Sequence, residues 1–141
     1  MFGLFLMRID SNVSENVLPN MSVKILFVED DLLLRSTFTR AYSRWYSVSV
    51  AEDGLEAFEK LQKESFDVIV SDVEMPRMGG VAFHAKVSET YPELADRIIF
   101  CSGGFDQETG KKLARLPNRL LLKPCDPAEL RQAIQEVAGV V

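Results

Sequence analysis

From residue 23 onward the chain alternates short apolar runs with stretches of helical spacing, and that alternation leaves it very few folds. The runs cover 23–28, 47–51, 67–71, 97–101 and 119–122, each of strand length. The first, third and fourth are rich in Val, Ile and Phe with little polar alternation, which is how a strand covered on both faces reads. Behind Asp31, a suitable N-cap, Leu34, Phe38, Ala41 and Trp45 recur at helical steps. Leu55, Phe58 and Leu61 mark a second helix after Asp53-Gly54, and a third covers 80–90 with Pro92 soon after it. A fourth, near 107–116, carries Gly110 inside and Pro117 at its end. A fifth opens at Pro127, with Leu130, Ile134 and Val137 on one stripe. Strand then helix, five times over, predicts an α/β domain: a doubly wound parallel five-stranded sheet with helices on both faces.

A chain of 141 residues fits one domain. At that size it buries roughly 68% of its unfolded surface, so a core suffices without disulfide or metal. The net charge of −5 argues against phosphate-backbone binding, which relies on clustered Lys and Arg. No nucleic-acid partner and no DNA-binding output module are expected. No run approaches the ~18 apolar residues of a membrane span. The apolar start, Met1 to Met7, is followed by Arg8 and Asp10 and lacks the features of a secretory signal. A cytoplasmic location is the expectation. Two cysteines and one histidine cannot make a four-ligand zinc site. Cys101 and Cys125 fit a reducing compartment at least as well as one disulfide, and Cys101 reads as an apolar strand residue. Residues 1–22 stand apart from 23–141. They end in polar linker and turn (Ser11 to Asn16, then Leu18-Pro19-Asn20). Either Met21 is the true start, or 1–22 form an arm whose Phe2, Leu4, Phe5 and Leu6 dock on a partner or on the domain.

In an open α/β sheet the site lies beyond the carboxyl ends of the strands, near the point where strand order reverses. The first run ends in Glu29-Asp30-Asp31, the third in Ser71-Asp72, the fourth in Ser102-Gly103-Gly104 and the fifth in Lys123-Pro124. Three acids meeting in one cleft repel each other, and a divalent, oxygen-seeking cation relieves the repulsion. Mg²⁺ suits such a set, with Asp30 and Asp72 as ligands and Glu29 acting directly or through water. An aspartate beside the metal can attack phosphorus as a nucleophile. Lys123 and the Ser102 hydroxyl would then hold phosphoryl oxygens. Singly, each residue has a plainer reading: an acid pair as a helix N-cap, a lone Asp as a turn, Lys before Pro as solvated surface. Their succession at four strand ends carries the inference.

The segment Lys24-Ile25-Leu26-Phe27-Val28-Glu29-Asp30-Asp31, with Arg35, resembles the opening of a bacterial two-component response-regulator receiver domain. Residues 67–80, with Ser71-Asp72-Val73-Glu74-Met75-Pro76 at their centre, resemble its phosphoacceptor segment, and 122–130, with Lys123-Pro124, its closing motif. The resemblance covers about 21–141. It implies the flavodoxin-like (βα)5 fold with strand order 2-1-3-4-5, and Asp72 as phosphoacceptor. It also implies Glu29 and Asp30 as the acidic pocket, Glu74 lending its backbone carbonyl to Mg²⁺ (or Mn²⁺), Ser102 as the switch hydroxyl and Lys123 as the lysine of the site. The implied phosphoryl donor is a phosphohistidine on a sensor histidine kinase or a histidine phosphotransfer protein. Output would go to an unidentified downstream protein, with homodimerisation left open. The first helix commonly docks the kinase in this family, which makes Leu32 and Leu33 candidate contacts.

Leu120 stands where many receivers carry a Tyr or Phe whose rotation reports phosphorylation. With Gly103, Gly104 and Gly110 nearby, signalling by reordering of the fourth-helix region is the expectation. His84 reads as surface or packing, and Phe38 and Trp45 as core. The chain is expected not to be an enzyme beyond its own phosphorylation and autodephosphorylation. A haloacid-dehalogenase-like phosphohydrolase would carry its nucleophile after the first strand and its metal acids late, an order opposite to this one. The other alternative, a receiver-fold interaction module that never meets phosphate, makes the complete set Glu29, Asp30, Asp72, Ser102 and Lys123 unnecessary.

Overall fold

Strand β1, Lys24–Val28, has four of its five residues buried, and its side chains feed two separate cores. Leu26 and Val28 join one apolar cluster, while Ile25 and Phe27 join the other on the opposite face of the sheet. That division follows from the two-residue period of a strand. It explains why the run shows no polar alternation. The computed structural model describes residues 23–139, so the expected arm over 1–22 lies outside the described residues.

The further strands are β2, Ser47–Ala51; β3, Val68–Ser71; β4, Ile98–Ser102; and β5, Leu120–Leu122. All pair in parallel, in the spatial order β2-β1-β3-β4-β5. This is the flavodoxin-like order 2-1-3-4-5 with its reversal between β1 and β3. Helices α1, Leu32–Tyr42, and α6, Pro127–Ala138, cover one face through Tyr42, Leu130, Ala133 and Ile134. On the other face lie α2, Gly54–Leu61; α3, Gly80–Thr90; a single turn α4, Pro92–Ala95; and α5, Gln107–Ala114. Their Ala57, Phe58, Leu61, Phe83, Val87, Ala95 and Leu113 fill that core. None of the described helices is long and apolar enough to cross a membrane.

Several local expectations shift. The first helix stops at Tyr42, so Trp45 lies in the turn beyond it, half-buried beneath the Arg131 guanidinium at 4.0 Å. Tyr42 and Tyr46 are the buried residues, and Ala41 is exposed. The buried stripe steps from Phe38 to Tyr42, four residues, where Phe27 stacks on Phe38 at 4.7 Å and meets Tyr42 at 5.4 Å. The turn α4 was not foreseen; Pro92 starts it instead of ending the preceding helix. Gly110, inside the fourth helix of the sequence pattern, gives Phe105 a place to pack: a Cβ there would meet the Phe105 ring at 3.2 Å. Cys101 and Cys125, left open as thiols or a pair, are joined by a disulfide. Their Cα atoms stand 7.1 Å apart, wide for this bond. The pairing bridges β4 to the loop after β5, neighbours in space that the sequence separation conceals.

His84 is a packing residue, 9% exposed and tilted against the Phe100 ring at 6.0 Å. Burial lowers its pKa from the ordinary 6.5, against the opposing influence of Asn118 and the Asp96 charge. The unfolded chain therefore takes up a proton more readily than the folded one. Stability should fall as pH drops from about 6.5 through the lower folded value, because the unfolded state binds more protons in that window. His84→Gln should flatten this dependence. Urea denaturation at about pH 7 and about pH 5 checks it: the loss of stability between the two should be smaller in the variant.

Candidate functional site

The sheet register sets the site. Val28 is level with Ala51 on one side and Ser71 on the other, and Ser102 is level with Leu122. The ladder then continues one residue further at each strand end. Glu29 N–H donates to the Ala51 carbonyl at 2.9 Å, Asp72 N–H to the Val28 carbonyl at 2.9 Å, and Lys123 N–H to the Ser102 carbonyl at 2.8 Å. Each residue after the strands is thereby fixed in backbone position before its side chain is considered.

The side chains converge. Lys123 Nζ donates to Glu29 Oε1 at 2.6 Å and to Asp72 Oδ2 at 3.1 Å. The other Asp72 oxygen accepts the Val73 N–H at 2.7 Å, and Glu29 Oε2 accepts the Asp31 N–H at 3.1 Å. Arg35, from α1, donates through Nη1 to the Glu29 carbonyl at 2.7 Å and holds the turn after β1. Glu29 is 3% exposed and Asp72 9%, whereas Asp30 opens to solvent. Burial raises the Glu29 carboxyl above its ordinary value, outweighing the hydrogen bonds from Lys123 and Asp31 that pull it down. Burial alone would lower Lys123; the Glu29 hydrogen bond and the Asp72 charge outweigh it and raise the ammonium instead.

Carboxylate oxygens of Glu29, Asp30 and Asp72 all lie within 4.8 Å of one another. An all-oxygen donor set with one member open to water suits a hard divalent cation that keeps part of its hydration shell. Four of the residues singled out from the sequence, Glu29, Asp30, Asp72 and Lys123, are thus brought together. The Ser102 hydroxyl is engaged within its own loop. It donates to the Gly104 carbonyl at 2.9 Å and accepts the Gly104 N–H at 3.1 Å. Glu74 is exposed, two residues beyond Asp72.

Sequence reasoning missed a brace beneath this cleft. Asp53, noted in the sequence only as preceding the second helix, is 1% exposed and caps α2 by accepting the Glu56 N–H at 2.9 Å. Its second oxygen accepts Arg77 Nε at 2.6 Å. Arg77 sits in the loop after Asp72 with φ of 65°, a left-handed conformation uncommon for a residue with a Cβ. The Gly54 N–H adds a bond to the Met78 carbonyl at 2.9 Å. The loop carrying Glu74 is tied to the start of α2 by these bonds. Asp53-Gly54 ahead of a helix signalled the cap, but nothing local signalled the Arg77 partner.

The family model for the response regulator receiver domain matches residues 25–135. The autoinducer 2 sensor kinase/phosphatase LuxQ of Vibrio vulnificus is 30% identical over 127 residues, which is 88% of this chain and 15% of that protein. The chain therefore corresponds to a small part of LuxQ. The response regulator receiver protein CpdR of Brucella abortus is 33% identical over 81 residues, 57% of this chain and 66% of its own length. Among solved structures, the chemotaxis response regulator CheY4 of Vibrio cholerae matches with a TM-score of 0.70 at 31% identity, over 84% of this chain and 99% of that one.

Proposed function

The chain belongs to the response regulator receiver domain family of two-component signalling, and on that premise we propose that Asp72 is its phosphoacceptor. The observation that carries the reading is the contact of Lys123 Nζ with both Glu29 and Asp72, inside an acidic cluster that also includes Asp30. An Asp72 carboxylate oxygen attacks phosphorus, the P–N bond to a donor imidazole breaks, and the imidazole leaves with the electron pair and takes up a proton. The product is an acyl phosphate on Asp72. Lys123 already points its ammonium at the carboxylate and meets the phosphoryl oxygens as charge builds on them.

Glu29, Asp30, Asp72 and the Glu74 backbone carbonyl would hold Mg²⁺, or Mn²⁺. When bound, the cation neutralises charge on the phosphoryl oxygens. Ser102 completes the site by exchanging its bonds to Gly104 for a phosphoryl oxygen. Because that exchange frees Gly104, the loop leading to Asp106, which caps α5 through the Thr109 N–H, reorders with it. Leu120, 37% exposed on β5, offers no hydroxyl to relocate, so this loop carries the signal in place of an aromatic rotation.

The donor is a phosphohistidine on a sensor histidine kinase or phosphotransfer protein. Leu32 and Leu33, 69% and 73% exposed at the start of α1, flank the cleft where that partner approaches. The location is cytoplasmic, and output runs through protein contacts.

Beryllofluoride binding in the presence of Mg²⁺ tests the reading. Amide shifts in the NMR spectrum at residues 29–30, 72–74 and 102–106 are the expected result, and Asp72→Asn should abolish them. A wild-type spectrum indifferent to beryllofluoride would leave an interaction module that does not use phosphate.

A further inference from the structure

The disulfide joins the two segments that carry Ser102 and Lys123. Cys101 immediately precedes Ser102, and Cys125 follows Lys123 by two residues. The two sulfurs differ in access: Cys101 is 2% exposed, whereas Cys125 is half-buried in the β5–α6 loop at the protein surface. Cys101 belongs to the apolar cluster of Ile99, Leu121 and Leu130, and Cys125 packs against that cluster from the loop, the less buried of the two. Between Lys123 and the start of α6 there is little else to hold the loop. Lys123 N–H bonds to Ser102, and Asp126 caps α6 through the Ala128 N–H at 2.9 Å. Among the described hydrogen bonds, Cys125 itself makes none within that span.

We propose that Cys101 and Cys125 form a reversible thiol–disulfide switch, opened at Cys125 by glutathione-class thiols, that sets how firmly Lys123 is held against Asp72. The consequence for phosphorylation rests on the receiver reading above. Opening begins when a thiolate attacks Cys125 Sγ, forming a mixed disulfide and expelling Cys101 as a thiolate, which takes up a proton. A second thiolate attacks the outer sulfur of the mixed disulfide, yielding the oxidised small thiol and a Cys125 thiolate, which is protonated in turn. Two small thiols become one disulfide, and the protein gains two electrons and two protons. Glutathione disulfide reverses each step.

With the bridge closed, the loop after β5 is tied to β4 and the ammonium reaches both carboxylates. With it open, the backbone beyond Lys123 is free to move relative to Ser102, and the ammonium spends less time at Asp72. Misplacement of a charge-stabilising group by an ångström carries a large kinetic cost.

The test equilibrates the full chain with glutathione or with glutathione disulfide, and mass spectrometry after alkylation reads the redox state. Acetyl phosphate with Mg²⁺ then supplies the phosphoryl group, and intact mass follows its uptake. The reduced form should take it up about threefold or more slowly than the oxidised form, and Cys125→Ser should match the reduced rate in both buffers. Hydrogen exchange at the Lys123 and Cys125 amides should quicken on reduction, a readout that does not depend on phosphorylation. Equal uptake in both redox states, or a chain that alkylates at both cysteines after glutathione disulfide treatment, overturns the switch. If neither form takes up phosphate, the receiver reading of Asp72 fails, and unchanged amide exchange then overturns the switch separately.

Discussion

Lys123→Ala will slow phosphoryl uptake from acetyl phosphate by about 10²-fold or more while tightening Mg²⁺ binding. The two effects have opposite signs because the ammonium and a divalent cation share ligands. Lys123 Nζ sits 2.6 Å from Glu29 Oε1 and 3.1 Å from Asp72 Oδ2, and both carboxylates also belong to the cluster suited to the cation. Removing the ammonium takes a positive charge from beside the metal position and frees a Glu29 oxygen, so the cation gains. The phosphoryl oxygens lose the donor aimed at them, so the chemistry loses. Isothermal titration calorimetry gives the Mg²⁺ affinity, and intact mass at saturating Mg²⁺ gives the uptake rate. A variant that binds Mg²⁺ more weakly would show that Lys123 maintains the shape of the cluster and does not compete with the cation, and unchanged uptake at saturating Mg²⁺ would remove its role toward the phosphoryl group.

The sheet was legible because β1, β3 and β4 are buried on both faces, which removes polar residues and leaves unbroken apolar runs. The acidic and basic members of the site were legible for a related reason. Parallel strands in register bring their carboxyl ends to one edge, so the residue after each strand has little freedom in where it goes. Features that depend on pairing between distant segments were hidden. Asp53 with Arg77 and Cys101 with Cys125 each join segments whose proximity is set by helix packing and loop path, on which local spacing is silent. Ser102 shows a different limit: the strand pattern places its backbone at the sheet edge, but local spacing is silent on the hydroxyl's bonds to Gly104. Tyr42 and Ala41 show a third, since a helical step of three or four is decided by which ring reaches Phe27.

Gly80→Ala will cost about 3 kcal/mol of stability and lower the unfolding midpoint by about 10 °C. Gly80 is the first residue of α3, and its backbone φ lies outside the left-handed region that calls for glycine. The requirement is close approach. A Cβ there would sit on the Asp72 carbonyl oxygen, 3.1 Å from Val73 Cα and 3.3 Å from the Asp72 carbonyl carbon. Every one of these is backbone, pinned on the other side by the Asp72 N–H bond to Val28, so the clash is relieved only by moving α3 or Asp72 itself. Gly110→Ala is the matched comparison, because the Cβ there meets the edge of the Phe105 ring at 3.2 Å, a side chain able to turn aside. Replacing a glycine inside a helix gains roughly 1 kcal/mol of helix propensity, which offsets the repacking, so Gly110→Ala should unfold close to wild type. Urea denaturation of the two variants in parallel separates close approach to backbone from contact with a yielding ring. Equal stabilities would mean that α3 can withdraw from Asp72 freely. Phosphoryl uptake provides the second readout, since a displaced Asp72 loses its contact with Lys123 even where the chain remains folded.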